Sequence, residues 1–522
     1  MTSTTRFPAW PPEEVLEDRR LVALVNATRD YALSHGLVIR APAQAGAALP
    51  PQDTVVHAPL AVLPTPFPRA LFETANSLQP IFNRLYAAVA GDIEFLREVI
   101  GGSVARVDDF QRRLYEIFER VLEEGIAQPV TLGLFRSDYL MHEETPGSGA
   151  VDLKQVEFNT ISSSFGPLSV AACQMQQYMV TRGAYDGTSN LLQRDNFPEN
   201  HALATLAAGL ADAHRHYVQV TRGNIPAVQN ACILFVVQPD ERNSFDQRAI
   251  EYMLLEKHGI RSQRATLCDL VQWGSLQGRE RILVVQSPLS TLPVEISTVY
   301  FRATYAPGDF VDNAAWDTRL MLERSLAIKC PNIALQLAGS KKVQQVLSVP
   351  GVLERFLSPS EAGQLRPVFA ELRALDQESI ALANAHPERY VLKPQREGGS
   401  NNIYKSDIPP ALAAMAERDA ERAKHGPVPV HEHEAYILMG LIQTPQHRGT
   451  LLLRPLASGE LPGGATHARE TVSELGIYGA ALFGPDTFVD HSGGFLLRTK
   501  SSESNEGGVA VGYSVIDTPL LV

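Results

Sequence analysis

Apolar positions between residues 109 and 125 recur at intervals of three and four: Phe110, Leu114, Ile117, Phe118, Val121 and Leu122. That is the period of a helix with one buried face, and Gly125 stands where such a helix stops. The chain reads as helical from Pro68 up to this glycine. Residues 41–68, rich in Ala and Pro, read as a linker in which only Val55-Val56 and 60–63 could pack. From Thr131 the texture changes to short β-rich runs, 130–139 and 151–161, followed by helical stretches at 168–180 and 200–217. Residues 231–238 (ACILFVVQ) are an unbroken apolar run, the pattern of a buried strand. A helix at 245–258, strands at 261–267, 281–286 and 297–305, and a helix at 314–329 complete a compact α/β unit with parallel strands. The last third predicts strands at 390–394, 435–442, 450–454, 471–482 and 494–500, divided by loops too long and polar for simple turns. Sheet covered by helices is implied.

Composition narrows the function. The 522 residues hold 46 basic and 58 acidic side chains, a net charge of -12, with 44% hydrophobic residues. This acidic, globular balance argues against a nucleic-acid partner. No apolar run reaches the about 18 residues of a membrane-crossing helix, and residues 1–14 lack the basic and apolar sections of a secretory signal. Cys173, Cys232, Cys268 and Cys330 show no paired spacing, so reduced thiols and a cytoplasmic setting without a membrane partner are expected. Walker, Gly-x-Gly-x-x-Gly, Gly-x-Ser-x-Gly and His-Arg-Asp motifs are absent. Gly147-Ser148-Gly149 reads as a turn, and His431-Glu432-His433-Glu434, without the i,i+4 spacing of a zinc helix, as a solvated strand entry.

The informative signal is charge placed on strands. In residues 153–161 (LKQVEFNTI), alternation sets Val156 and Phe158 on one face and Gln155, Glu157 and Asn159 on the other. Glu and Asn two residues apart suit Mg²⁺, which takes a few protein oxygens and lets phosphates complete its shell. An exposed polar face would show the same alternation. Residues 390–402 (YVLKPQREGGSNN) repeat the device: Lys393, Gln395 and Glu397 share a face until Gly398 and Gly399 free the backbone to approach phosphate oxygens. A charged hairpin loop is the alternative. Arg498 and Lys500 share a third face ahead of a small-residue loop, Glu506-Gly507-Gly508-Val509-Ala510. Cations gathered at strand ends of an acidic protein point to an anionic ligand.

These segments, with 241–250 (ERNSFDQRAI), 300–305 (YFRATY), 329–345 and 473–476 (SELG), occur in order and resemble the eukaryotic glutathione synthetases from about Thr131 to Val522. The resemblance implies an ATP-grasp-like α+β and α/β fold: an antiparallel body, an inserted parallel α/β substrate-binding domain at 230–335, a first part at 1–229 and a nucleotide-binding region at 336–522. It implies a carbon–nitrogen ligase with ATP as co-substrate, Mg²⁺ as cofactor, γ-glutamylcysteine and glycine as substrates, and a homodimeric assembly. Residue by residue it implies Glu157, Asn159 and Glu397 as metal ligands, with Arg498, Lys341 and Lys393 as catalytic groups. Lys341, Lys393, Gly398, Gly399, Asn402, Tyr404, Met439, Ile442, Glu474, Lys500 and Glu506 would hold ATP. Arg136, Ser162, Ser164, Glu241, Asn243, Gln247, Arg302 and Tyr305 would hold γ-glutamylcysteine, and Val509 and Ala510 the glycine side. The chain departs from the family pattern in two places: Ser400 stands where a third glycine is common, and Gly440-Leu441 where a charged pair is frequent. Use of another acceptor, such as β-alanine, and a nucleotide-binding scaffold without turnover are the competing expectations.

Overall fold

The structure is a computed structural model. It describes residues 7–42, 50–51, 53–222, 230–288, 292–397, 401–425, 430–445, 449–457, 459–504, 507–510 and 512–522, and the backbone of 3–4. Helices α1 (Arg69–Gly91) and α2 (Asp109–Glu124) precede a long hairpin, β1 (Thr131–His142) and β2 (Ala150–Asn159). Then follow α3 (Gly166–Thr181), α4 (Ala202–His216), β3 (Cys232–Val236), α5 (Ser244–His258), β4 (Ser262–Ala265) and β5 (Val294–Phe301). After α6 (Asn313–Arg324) come β6 (Ile328–Cys330), α7 (Lys341–Leu347), β7 (Leu372–Ala374), β8 (Tyr390–Pro394) and β9 (Ile403–Tyr404). Helix α8 (Ile408–Ala423), β10 (Tyr436–Gly440), β11 (Thr471–Gly484), β12 (Thr487–Ser501) and β13 (Val515–Asp517) complete the elements that position the site.

Strands β4, β3, β5 and β6 run parallel, as the sequence leads one to expect, but they do not form a sheet of their own. Lys329 of β6 pairs in parallel with Thr131 of β1, which joins them to the main sheet. From Arg136 onward the same edge of β1 is taken by antiparallel β2, while β11 covers the whole opposite edge. The sheet therefore forks along β1, and residues 160–165 leave β2 at that fork. Ser162 Oγ donates to Phe301 O at 3.0 Å and Ser163 Oγ to Leu134 O at 3.3 Å, so the segment that leaves β2 is tied to β5 and to β1. A second, antiparallel sheet has the order β7-β10-β8-β9, and α7 lies between it and β2.

Three local expectations change. Residues 41–68 are not a linker: Val55–His57 pairs with Val38–Arg40, Leu60–Ala61 with the strand Thr450–Leu453 and with β13, and Thr65–Phe67 with Pro519–Leu521. Those last partners sit at the far end of the chain, beyond the reach of a local pattern. The helix expected at 314–329 ends at Arg324, and Ile328–Cys330 is a strand; Pro331 disfavours helical backbone at the residue before it. The shared face of Gln155, Glu157 and Asn159 holds only for the last two. A register shift between Asp138 and Tyr139 of β1 lets Tyr139 pair with Gln155 while Asp138 pairs with Glu157. The extra residue reverses the alternation, so Gln155 joins Leu153 and Phe158 on the buried side. Phe158 stacks on Tyr86 of α1 with ring centroids 4.0 Å apart, which anchors β2 from behind.

Gly494 in β12 has φ +85°, and a Cβ there would lie 2.0 Å from Ala202 N at the start of α4. Gly494→Ala is expected to destabilise the protein by about 2–4 kcal/mol, since strained backbone and a backbone collision combine. Urea unfolding checks this; a loss below about 0.5 kcal/mol, the range of neutral surface changes, contradicts it.

Candidate active site

Arg136 and Asp138, two residues apart on β1, project to one side, and Gly476 of β11 faces Asp138 across the ladder. A Cβ at Gly476 would lie 2.6 Å from Arg136 Cδ and 2.7 Å from Asp138 Oδ1, so the glycine leaves room for this pair. Asp138 is fully buried and accepts from Arg136 Nε at 2.6 Å, Arg136 Nη2 at 2.8 Å, Asn159 Nδ2 at 3.0 Å and Arg498 Nη2 at 2.9 Å. Arg498 also donates to Glu474 Oε1 at 2.7 Å. One carboxylate thus holds two guanidiniums and an amide in place, which offsets the cost of burying their charges.

Beside this layer stands a second ion cluster. Lys341, at the start of α7, puts Nζ 2.8 Å from Glu157 Oε2 and 3.2 Å from Glu397 Oε2. Helix α7 is placed by Gln395, whose Oε1 accepts from Lys342 N at 3.0 Å and whose Nε2 donates to Ala435 O at 3.3 Å. Lys393 Nζ donates to Val156 O at 3.1 Å. Glu157 and Glu397 keep 22% and 26% of their side chains exposed and Lys341 only 5%, so the carboxylates reach solvent and the lysine lies behind them. Burial pushes the Glu157 carboxyl up, but Lys341 and Lys393 outweigh it and hold it well below the ordinary carboxylate range. Burial raises the Glu397 carboxyl, with Lys341 opposing and Glu157 adding to the rise. Burial lowers Lys393, whereas the two carboxylates raise Lys341 against its burial. Burial also raises Glu474, against Arg498.

Among the described residues no group of three or more His, Cys, Asp or Glu could hold a metal alone. Glu157 and Glu397 nevertheless fit a hard cation: an ammonium already sits between them, and Asn159 turns its Nδ2 to Asp138, leaving Oδ1 on the other side of the amide. Two or three protein oxygens are what Mg²⁺ takes when phosphates and water supply the rest.

The residues expected to hold nucleotide divide between the two sheets. Met439 of β10 pairs with Val391 of β8 and is buried, with Ile442 packed on the same core. Asn402 Nδ2 donates to the Tyr404 hydroxyl at 3.0 Å beside them on the smaller sheet. Glu474 stands on the main sheet, bound to Arg498, and Lys500 follows Arg498 two residues on along the same strand. Gly398, Gly399 and Glu506 lie outside the described residues.

At the sheet fork Arg302 is buried, with Nη1 donating to Ser163 O at 2.9 Å and Nη2 to Ser164 Oγ at 2.6 Å. Arg136 Nη1 and the Tyr478 hydroxyl both donate to Ser164 O, at 3.2 and 2.6 Å. Glu241 accepts from Asn243 N at 2.7 Å and Gln247 Nε2 at 3.0 Å, and burial raises the Tyr305 hydroxyl to about 12, with Asp309 and Glu241 contributing. Arg302 Nε and Asn243 Oδ1 are buried without a partner among the described residues. Such orphans call for a ligand, and a guanidinium whose hydrogen-bond partners are all neutral oxygens suits a carboxylate. On a further side, Val509 is buried and Ala510 O accepts from Arg242 Nη1 at 3.1 Å.

Sequence reasoning passed over Asp138 and Asp246. Asp246 accepts from Phe165 N at 2.8 Å and Leu168 N at 3.1 Å, capping α3 where the Ser162–Ser164 segment ends. The available signal for Asp138 was an Arg-x-Asp pair inside an otherwise apolar strand.

A model of the family described as "Eukaryotic glutathione synthase, ATP binding domain" matches residues 18–521. Glutathione synthetase of Homo sapiens is 38% identical over 515 residues, covering 97% of this chain and 98% of that protein. The glutathione synthetase large chain of Schizosaccharomyces pombe is 35% identical, covering 98% of each. The chloroplastic glutathione synthetase of Arabidopsis thaliana is 36% identical, covering 98% of this chain and 87% of that protein. The apo structure of a glutathione synthetase-like effector from Globodera pallida superposes with a TM-score of 0.71 at 23% identity, covering 97% and 98% of the two chains, a likeness of fold.

Asp138→Asn removes the carboxylate to which Arg136 and Arg498 both hydrogen-bond, and is expected to cost about 3–5 kcal/mol of stability. Chemical denaturation measures it; a cost under about 1 kcal/mol, the level of an ordinary hydrogen bond, contradicts the role assigned to this carboxylate.

Proposed function

The chain belongs to the eukaryotic glutathione synthetase family, and from that premise we propose how its cleft joins γ-glutamylcysteine to glycine at the expense of ATP. The observation that carries the reading is the meeting of Glu157 and Glu397, from remote stretches, on one lysine at 2.8 and 3.2 Å. An ATP-dependent ligase of this kind moves charge. The dipeptide's carboxylate attacks the γ-phosphate, giving an acyl phosphate and ADP, and the amine of glycine then displaces phosphate. A carboxylate approaching a triphosphate is repelled unless cations screen it.

Glu157, Glu397 and Asn159 would hold Mg²⁺, which when bound neutralises and polarises phosphate oxygens. Lys341 and Lys393 face the same space and exchange carboxylate and carbonyl partners for phosphate. Arg498, fixed by Asp138 and Glu474, presents an oriented guanidinium toward the reacting carboxyl, where prepositioned charge counts most as the oxyanion develops. Arg302, Ser162, Ser164, Asn243, Gln247 and Tyr305 hold the dipeptide at the sheet fork. Met439, Ile442, Asn402 and Tyr404 form the nucleotide side, with Gly398 and Gly399 as backbone donors. Val509 and Ala510 border the acceptor. This small pair favours glycine over a longer amino acid, so we assign glycine ahead of β-alanine. We also assign a homodimer, which sedimentation velocity tests. No helix among the described residues is long and apolar enough to cross a membrane.

Phosphate release is expected only when ATP, Mg²⁺, γ-glutamylcysteine and an acceptor are all present, and to be fastest with glycine among glycine, β-alanine and serine. A faster reaction with either alternative overturns the acceptor assignment. Glu397→Gln is expected to lower turnover by ~100-fold or more while circular dichroism stays unchanged, the scale of losing transition-state charge stabilisation. The raised Glu397 carboxyl gives a pH dependence with a definite sign. Protons compete with the cation as pH falls, so apparent Mg²⁺ affinity weakens from neutral toward acidic pH. Titrations at pH 7.5 and 5.5, values chosen to span ~2 units on the acidic side of neutrality, test it; a flat profile contradicts it.

A further inference from the structure

Arg396 immediately precedes Glu397, yet its side chain runs to a different anchor. Its Nη1 lies 2.5 Å from Asp108 Oδ2 and donates to its own neighbour's carbonyl, Gln395 O, at 2.8 Å. The guanidinium carbon stands 5.8 Å from the centroid of the Phe110 ring. Asp108 in turn is fixed by its helix: its Oδ1 accepts from Gln111 N at 2.9 Å as the N-cap of α2. Only 9% of the Asp108 side chain and 26% of Arg396 remain exposed, so the pair is far less screened than an ordinary surface bridge. The peptide between Arg396 and Glu397 is therefore held from both sides, by α2 through Arg396 and by α7 through the Glu397–Lys341 contact.

We propose that the Arg396–Asp108 ion pair is a positioning element for Glu397, holding its carboxylate opposite Glu157 and so setting the affinity of the site for a divalent cation. The inference rests on the reading of Glu157 and Glu397 as cation ligands. Neither residue belongs to the substrate or nucleotide sites assigned above. Its effect is mechanical: with Arg396 released, the Glu397 side chain is held among the described residues by its contact with Lys341, and the spacing between the two carboxylates widens. Groups that orient a metal ligand typically carry 10–100-fold of metal affinity, and the effect here falls on binding rather than on the chemical step.

The test uses the full-length protein with Mn²⁺ in the presence of a non-hydrolysable ATP analogue, read by isothermal titration and by the free Mn²⁺ electron paramagnetic resonance signal. Arg396→Leu and Asp108→Asn, the latter keeping a good N-cap, are each expected to weaken Mn²⁺ binding by ~10-fold or more. The double variant is expected to be no worse than either single one, because both remove the same contact. In turnover assays the half-saturating Mg²⁺ concentration rises in parallel, while kcat at saturating Mg²⁺ stays within ~3-fold, a change below 1 kcal/mol. Arg396→Lys, which retains the charge, recovers part of the affinity. Unchanged Mn²⁺ affinity in both single variants, or additive losses in the double variant, overturns the proposal. If Glu397→Gln also leaves Mn²⁺ affinity unchanged, the cation reading itself falls; if Glu397→Gln weakens binding and Arg396→Leu does not, only the positioning role falls.

Discussion

Glu157 and Glu397 would repel one another at the mouth of a cleft if nothing stood between them. Two unit charges about 4 Å apart in a protein-like medium interact by roughly 4 kcal/mol. Lys341 turns that repulsion into attraction, and its position depends on the rest of the cleft. Gln395 sets the start of α7, Gly339 leaves room for Thr160, and the bulge in β2 turns Glu157 outward while Gln155 goes to the core.

Behind this cluster, Asp138 performs the complementary task for positive charge. Arg136 and Arg498 would be costly to bury alone, and the carboxylate between them fixes one at the sheet fork and the other at the cleft. The fork brings chemistry from separate parts of the chain together. On one branch, Arg302 follows the parallel strand β5; on the other, Asn159 and Glu157 end the antiparallel strand β2. The Ser162–Ser164 segment continues from β2 and is held by carbonyl and hydroxyl contacts to the end of β5, to Arg302 and to β1.

Much of this was legible in the chain. Alternation was enough to place Glu157 with Asn159 and Arg498 with Lys500, because strand period is local and strong. The parallel α/β run from Ala231 was visible through a different local mark, an unbroken apolar stretch buried on both faces. What local pattern could not supply was partnership across distance. The pairing of Thr65–Phe67 with Pro519–Leu521 leaves no mark in either segment, and an Ala- and Pro-rich stretch therefore read as a linker. The bulge at Gln155 was hidden because it depends on register against β1. Asp138 was hidden because an acid inside an apolar strand acquires meaning only when its arginine partners are known to converge on it.

The pairing of residues 60–67 with the final strands has a further consequence for biosynthesis. A chain emerging from the ribosome presents these short segments, and the edge of β1 that β11 covers, long before their partners exist. Sheets with such distant pairings nucleate late and leave sticky edges uncovered in the meantime. The nascent polypeptide must then be shielded until residues 515–521 have emerged, and termination ahead of them would remove a structural seam as well as a few side chains.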